Sequence, residues 1–124
     1  MPNPAPGFAR RPDHVVALRP APETVALRAA GREIARSDRA VLCEETGHPP
    51  RRYLPIVDVA AGLLVPTDLA THCPFKGDAR YWTLVLPCGG TLDNAAWAYD
   101  APFDECAGLA GLVCFDEPRL EALG

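Results

Sequence analysis

Apolar and polar positions alternate with a period of two from Glu23 onward. Val25 and Leu27 alternate with Thr24, Ala26 and Arg28, the pattern of a strand with one buried face. Gly31 permits a turn, and residues 33–37 form a short return strand. Residues 40–44 read as a third strand through Val41, Leu42 and Cys43. Thr46-Gly47-His48-Pro49-Pro50 breaks the chain, and residues 52–56 resume it. Pro55 places that run at a sheet edge or a bulge, because proline donates no ladder hydrogen bond. Residues 80–86 are the most strand-like stretch. Pro87-Cys88-Gly89-Gly90 makes a hairpin turn, residues 91–99 return, and residues 112–115 form a last strand. Helix is expected only twice: about two turns from an Asp58 cap over residues 59–64, limited by Gly62 and Pro66, and one turn over residues 104–107. Seven or eight short strands with so little helix predict an all-β domain.

The first 22 residues depart from this pattern. They carry six prolines, which predict an extended, mostly disordered arm into which Phe8, Val15, Val16 and Leu18 bring a few docking groups. Arg10 and Arg11 offer charge to an acidic partner, as a solvated tail also does. The domain is expected over residues 23–120, with residues 121–124 a frayed tail. At 124 residues the chain has room for one modest core. A net charge of −4 argues against a nucleic-acid backbone as the main partner. No apolar run approaches the roughly 18 residues of a membrane span, and no apolar leader is expected. The five cysteines, Cys43, Cys73, Cys88, Cys106 and Cys114, are odd in number and lack C-x-x-C spacing. This predicts reduced thiols and a cytoplasmic setting, and neither a disulfide framework nor a four-cysteine zinc site.

Residues 71–82, read as a site loop running into a strand, concentrate chemistry that hydrophobic patterning does not require. Cys73 is flanked by His72 and lies three residues before Lys76; a nearby cation favours thiolate, the setting of a nucleophile. Adjacent residues on a strand face opposite ways, so His72 acts on Cys73 only across a turn. In Lys76-Gly77-Asp78 the lysine offers a point charge to an anion, or forms a surface pair with Asp78. Alternation sets Trp82 with Leu84 and Leu86, and Tyr81 with Thr83 and Val85. Trp97 and Tyr99 share a face with Ala95, and Asn94 points opposite. With Tyr53 these aromatics either wall a pocket for a flat ring or fill the core of a domain short of large residues. Asn94 offers donors and acceptors to a ring edge. His48, His72 and Cys73 would be one ligand short of a closed metal site, and their spacing fits no zinc motif, so no metal or cofactor is predicted. Arg51, Arg52 and Arg80 add charge near the same mouth.

The order Ser37-Asp38-Arg39-Ala40, Glu45-Thr46-Gly47-His48-Pro49-Pro50, Thr71-His72-Cys73-Pro74-Phe75-Lys76-Gly77-Asp78-Ala79, Tyr81-Trp82 and Asn94-Ala95-Ala96-Trp97-Ala98-Tyr99 resembles the bacterial and fungal family catalogued as domain of unknown function 427, over about residues 24–120. Phe75 departs from the tyrosine commoner there. The resemblance implies a β-tent-like fold, two small antiparallel sheets pinned at an angle. Relatives of that architecture often hold zinc on four cysteines, a feature this sequence does not reproduce. The family also carries a nucleotidyltransferase-like label. Gly89-Gly90-Thr91-Leu92-Asp93 has a passing likeness to the glycine-rich entry of such enzymes, but reads here as a hairpin, and Asp93 has no partner carboxylate for Mg²⁺.

The leading functional expectation is a small-molecule-binding domain, monomer or homodimer. Tyr53, Tyr81, Trp82, Trp97 and Tyr99 would wall its pocket, Asn94 would read an edge, and Lys76 and Asp78 would hold polar groups. The alternatives are an enzyme with Cys73 as nucleophile and His72 or Lys76 beside it, and an interaction domain contacting partners through the proline-rich arm.

Overall fold

Nine strands in two antiparallel sheets form the framework of the computed structural model, which describes residues 2–124. They are β1 (Val16–Pro20), β2 (Val25–Ala29), β3 (Arg32–Ser37), β4 (Val41–Glu45), β5 (Arg51–Pro55), β6 (Leu64–Cys73), β7 (Gly77–Val85), β8 (Thr91–Ala98) and β9 (Leu112–Phe115). The large sheet runs β1-β4-β5-β9-β8-β7-β6, and β2 and β3 form a separate hairpin. The all-β expectation holds, with helix limited to α1 (Gly7–Arg10), α2 (Glu117–Glu121) and two 3₁₀ segments, Ile56–Asp58 and Asp104–Leu109. None of these helices is long and apolar enough to cross a membrane.

Period-two alternation divides the large sheet into two chemical faces. The β2–β3 hairpin buries Val25, Leu27 and Ile34 against Leu54, Trp82, Leu84, Val113 and Phe115 of one face. The other face carries Cys43, Tyr53, Ala79 and Cys114, which pack with Tyr99 and with Cys106 and Leu109 of the second 3₁₀ segment. Its partly covered aromatics, Tyr81 and Trp97, are left to line a cleft.

Several expectations are corrected. The helix expected over residues 59–64 does not form. The Asp58 carboxylate accepts from the Ser37 hydroxyl (2.6 Å) and from Arg39 (3.1 Å) instead of capping. Val59 bridges to Ala35, Gly62 turns the chain at φ 80°, and β6 begins at Leu64. Thr71, His72 and Cys73 therefore lie on a strand, and the loop shrinks to Pro74, Phe75 and Lys76. Pro55 ends an interior strand between β4 and β9, where the lost donor falls at the last rung. The amino-terminal arm is tied down: Val16–Pro20 pairs with β4, and Gly7 N–H donates to the Pro74 carbonyl at 2.9 Å. Residues 121–124, expected to fray, end α2 and follow directly on it; α2 buries Leu120, and the Gly124 carbonyl accepts from Gly31 N–H at 3.0 Å.

Candidate functional site

One row of directly opposed residues crosses five strands of the large sheet. Val41 on β4 faces Tyr53 on β5, Tyr53 faces Cys114 on β9, Cys114 faces Trp97 on β8, and Trp97 faces Tyr81 on β7. Opposed residues share a face, so three aromatics align along the floor of a cleft of about 410 Å³. That volume is within the roughly 300–1,000 Å³ of small-molecule sites. The Tyr81 and Trp97 rings are 6.2 Å apart and tilted by 43°. The Arg51 guanidinium lies 5.2 Å from the Trp97 centroid and has no carboxylate partner among the described residues. Burial pushes the Tyr53 and Tyr99 hydroxyls far above their ordinary range, so both remain neutral.

Asn94 reaches the cleft through a bulge. Its φ of 51° is left-handed, and the β7–β8 register shifts between Trp82 and Leu84. The local twist brings Asn94 to the Trp97 side and sends Ala95 into the core, the reverse of simple alternation. The Thr67 hydroxyl donates to Asn94 Oδ1 at 2.6 Å, which leaves the amide NH₂ free to donate into the cleft.

At the other end of the cleft, Lys76 is only 9% exposed and pairs with Glu45, at the end of β4. His14 Nε2 donates to the second Glu45 oxygen at 2.8 Å, and His48 Nε2 stands 3.9 Å from it. Burial would raise the Glu45 carboxyl, but hydrogen bonds from Lys76 and His14 outweigh it and hold the group below the ordinary carboxylate value. Burial likewise opposes the Lys76 charge, and the Glu45 hydrogen bond reverses that and raises the ammonium above its usual range. The pair is ionised, so Lys76 is a fixed cation and not a free amine.

The turn that presents Lys76 is held at every carbonyl. Pro74 accepts from Gly7 N–H, Phe75 from the Cys106 thiol (3.5 Å), and Lys76 from Phe103 N–H (2.9 Å). Burial pushes Cys106 up to about 11, which keeps it a thiol and a donor. Gly77 turns at φ 121°, where an added Cβ would lie 3.3 Å from the Ala101 carbonyl. Phe75 stacks on His14, with centroids 3.9 Å apart and planes 17° from parallel. The ring has a packing role that needs no hydroxyl.

Of the residues singled out from sequence, the cleft brings together His48, Arg51, Tyr53, Cys73, Lys76, Tyr81, Asn94, Trp97 and Tyr99. It does not include Trp82, which is core and carries the Arg80 guanidinium 4.2 Å over its ring. Nor does it include His72 and Asp78, opposed on β6 and β7, whose side chains pair at 2.7 Å in solvent. With His72 beside exposed Asp78, the donors His48, His72 and Cys73 do not converge, and no cluster fit to hold a metal occurs among the described residues. Arg52 pairs with Glu117 away from the mouth, whereas Arg51 lines it. Gly89-Gly90 is a hairpin turn followed by strand β8 and no helix. Sequence reasoning missed Glu45 and His14. Alternation of Val41, Cys43 and Glu45 on one face gave a signal for the first; nothing local marks the second.

A model of the family described as domain of unknown function DUF427 matches residues 17–123. The chain belongs to the DUF427 family. No curated protein matches it. The matched span contains the whole aromatic row and the Glu45–Lys76 pair of this DUF427 domain. His14, which completes that pair's hydrogen bonding, lies just before it.

Proposed function

We propose that this domain binds a small planar molecule bearing an anionic group, with the ring against Trp97 and Tyr81. The observation that carries this reading is the register row that places Tyr53, Trp97 and Tyr81 on one face beside an unpaired Arg51. Stacked rings contribute roughly 0.5–1.5 kcal/mol each beyond the area they bury. Arg51 would hold the anion, and the Asn94 amide would donate to an acceptor on the ring edge. Lys76, already neutralised by Glu45, contributes a shaped and rigid wall more than a free charge.

The two tryptophans make the test clean, because Trp82 is buried in the core and Trp97 lies in the cleft. In a Trp82→Phe protein, Trp97 is the only indole. Titration with nucleobases, nucleosides and aromatic carboxylates is expected to quench its fluorescence saturably. Arg51→Gln is expected to weaken the carboxylates at least tenfold and the neutral rings by less than threefold. A flat signal across the whole panel would end this reading.

A second reading makes Cys73 a nucleophile, and it is favoured by one observation: of the two cysteines that line the cleft, Cys73 is half-buried whereas Cys43 is buried and its thiol is pushed up by burial. Exposed Cys88 is the internal reference. If Cys73 is activated, iodoacetamide at pH 7 labels it faster than Cys88 despite its lower exposure. Slower labelling of Cys73 removes the nucleophile from consideration.

A further inference from the structure

A second cavity, of about 570 Å³, adjoins the aromatic cleft and shares His48 with it as a common wall. The amino-terminal segment forms one side of it, through Arg10, Arg11 and His14. The β4–β5 turn forms the other, through Thr46, Gly47 and His48. Its floor is the pinned turn at Pro74 and Phe75. The protein as a whole carries more carboxylates than cations, 16 against 12, yet every titratable residue lining this groove is basic. Glu45, the acidic group nearest His14, does not line it and is engaged by Lys76 and His14. Arg10 and Arg11 are exposed and have no carboxylate partner among the described residues.

We infer that this groove is an oxyanion site and that it takes a phosphate or diphosphate group. Two guanidinium forks offer paired N–H donors of the kind that match phosphate oxygens, and the His48 imidazole stands on the facing wall, while His14 Nε2 is committed to Glu45. The floor is the pinned turn at Pro74 and Phe75, so the loop beneath the cations needs no ordering when an anion binds. Arg10 and Arg11 lie outside the matched residues 17–123. Building on the proposed ring cleft, the two cavities, which share the His48 wall, would serve as one continuous site. The natural ligand would be a flat ring carrying a phosphorylated tail, with the ring on Trp97 and the tail between Arg10, Arg11 and His48.

The experiment begins with inorganic pyrophosphate, which has no ring and so tests the groove independently of the cleft. Calorimetry at fixed, low ionic strength on the full chain is expected to show saturable binding that weakens at least tenfold in the Arg10→Gln/Arg11→Gln protein. Both side chains are exposed, and the variant is expected to melt with the parent. No binding, or equal binding by parent and variant, overturns the groove. In the Trp82→Phe background, ADP is then expected to bind at least tenfold more tightly than adenosine, and the double variant is expected to erase that gain. Equal affinity for the two compounds overturns the continuous site. If pyrophosphate binds and no ring compound does, the groove stands and the aromatic cleft reading falls. If adenosine binds and pyrophosphate does not, the groove falls and the cleft stands.

Discussion

Glu45→Ala is expected to lower the unfolding free energy by about 3 kcal/mol, the low end of what removing one member of a buried ion pair costs. The substitution strands the Lys76 ammonium in a site only 9% exposed and takes the acceptor from His14 as well. The double variant Glu45→Leu/Lys76→Met is expected to recover most of the loss, because it removes both charges and keeps the volume. Acid unfolding separates the causes. The folded Glu45 carboxyl sits below its ordinary value of 4.5, so its stabilisation is complete above that pH and is lost as pH falls through the lowered value. Lys76 is raised, so its share is complete below the ordinary value of 10.5 and is lost as pH climbs through the raised one. Denaturant midpoints measured from pH 3 to 7 are expected to rise with pH more steeply in the parent than in the double variant. Parallel curves would show that the pair contributes nothing.

The second large effect distinguishes the two tryptophans. Trp82→Ala is expected to destabilise by about 4 kcal/mol, as for a large aromatic removed from a close-packed core. Trp82 is 4% exposed and opposes Ala96, itself opposed to Phe115, in a row that packs under the β2–β3 hairpin. Trp97→Ala is expected to cost less than about 2 kcal/mol, because its ring is only partly covered. It is nevertheless expected to abolish ring binding, and Trp82→Phe is expected to retain it. Chemical denaturation and the fluorescence titration on the same samples read both quantities. Equal stability losses would mean that Trp97 is a core residue and the cleft a packing defect.

Much of this division was already readable in the alternation of residues. Trp82, Leu84 and Leu86 were expected on one face and Tyr81 on the other, and the core receives the first three. Grouping Trp82 with the cleft aromatics went against that same period, as did joining His72 to Cys73. Asn94 was harder, since a bulge reverses alternation and a left-handed asparagine gives little warning of it. The helix expected after Asp58 failed because a tertiary partner, Ser37, took the capping oxygen. Glu45, His14 and Lys76 form a unit whose two links each span 31 residues, and no local pattern carries such pairing. The amino-terminal arm misled through composition: its six prolines concealed a strand, Val16–Pro20, that needs few donors at a sheet edge.

The middle position of β9 has a consequence for when the protein becomes competent. It is the last strand along the chain but the central one of seven, and through Cys114 it joins Tyr53 on one side to Trp97 on the other. During synthesis the β6–β7–β8 meander and the β1–β4–β5 group emerge first and can each pair within themselves. The two halves of the cleft belong to separate groups until residues 112–115 leave the ribosome and close the gap. A nascent chain stalled before Leu112, or a product clipped there by a protease, would keep every aromatic of the cleft without the strand that aligns them.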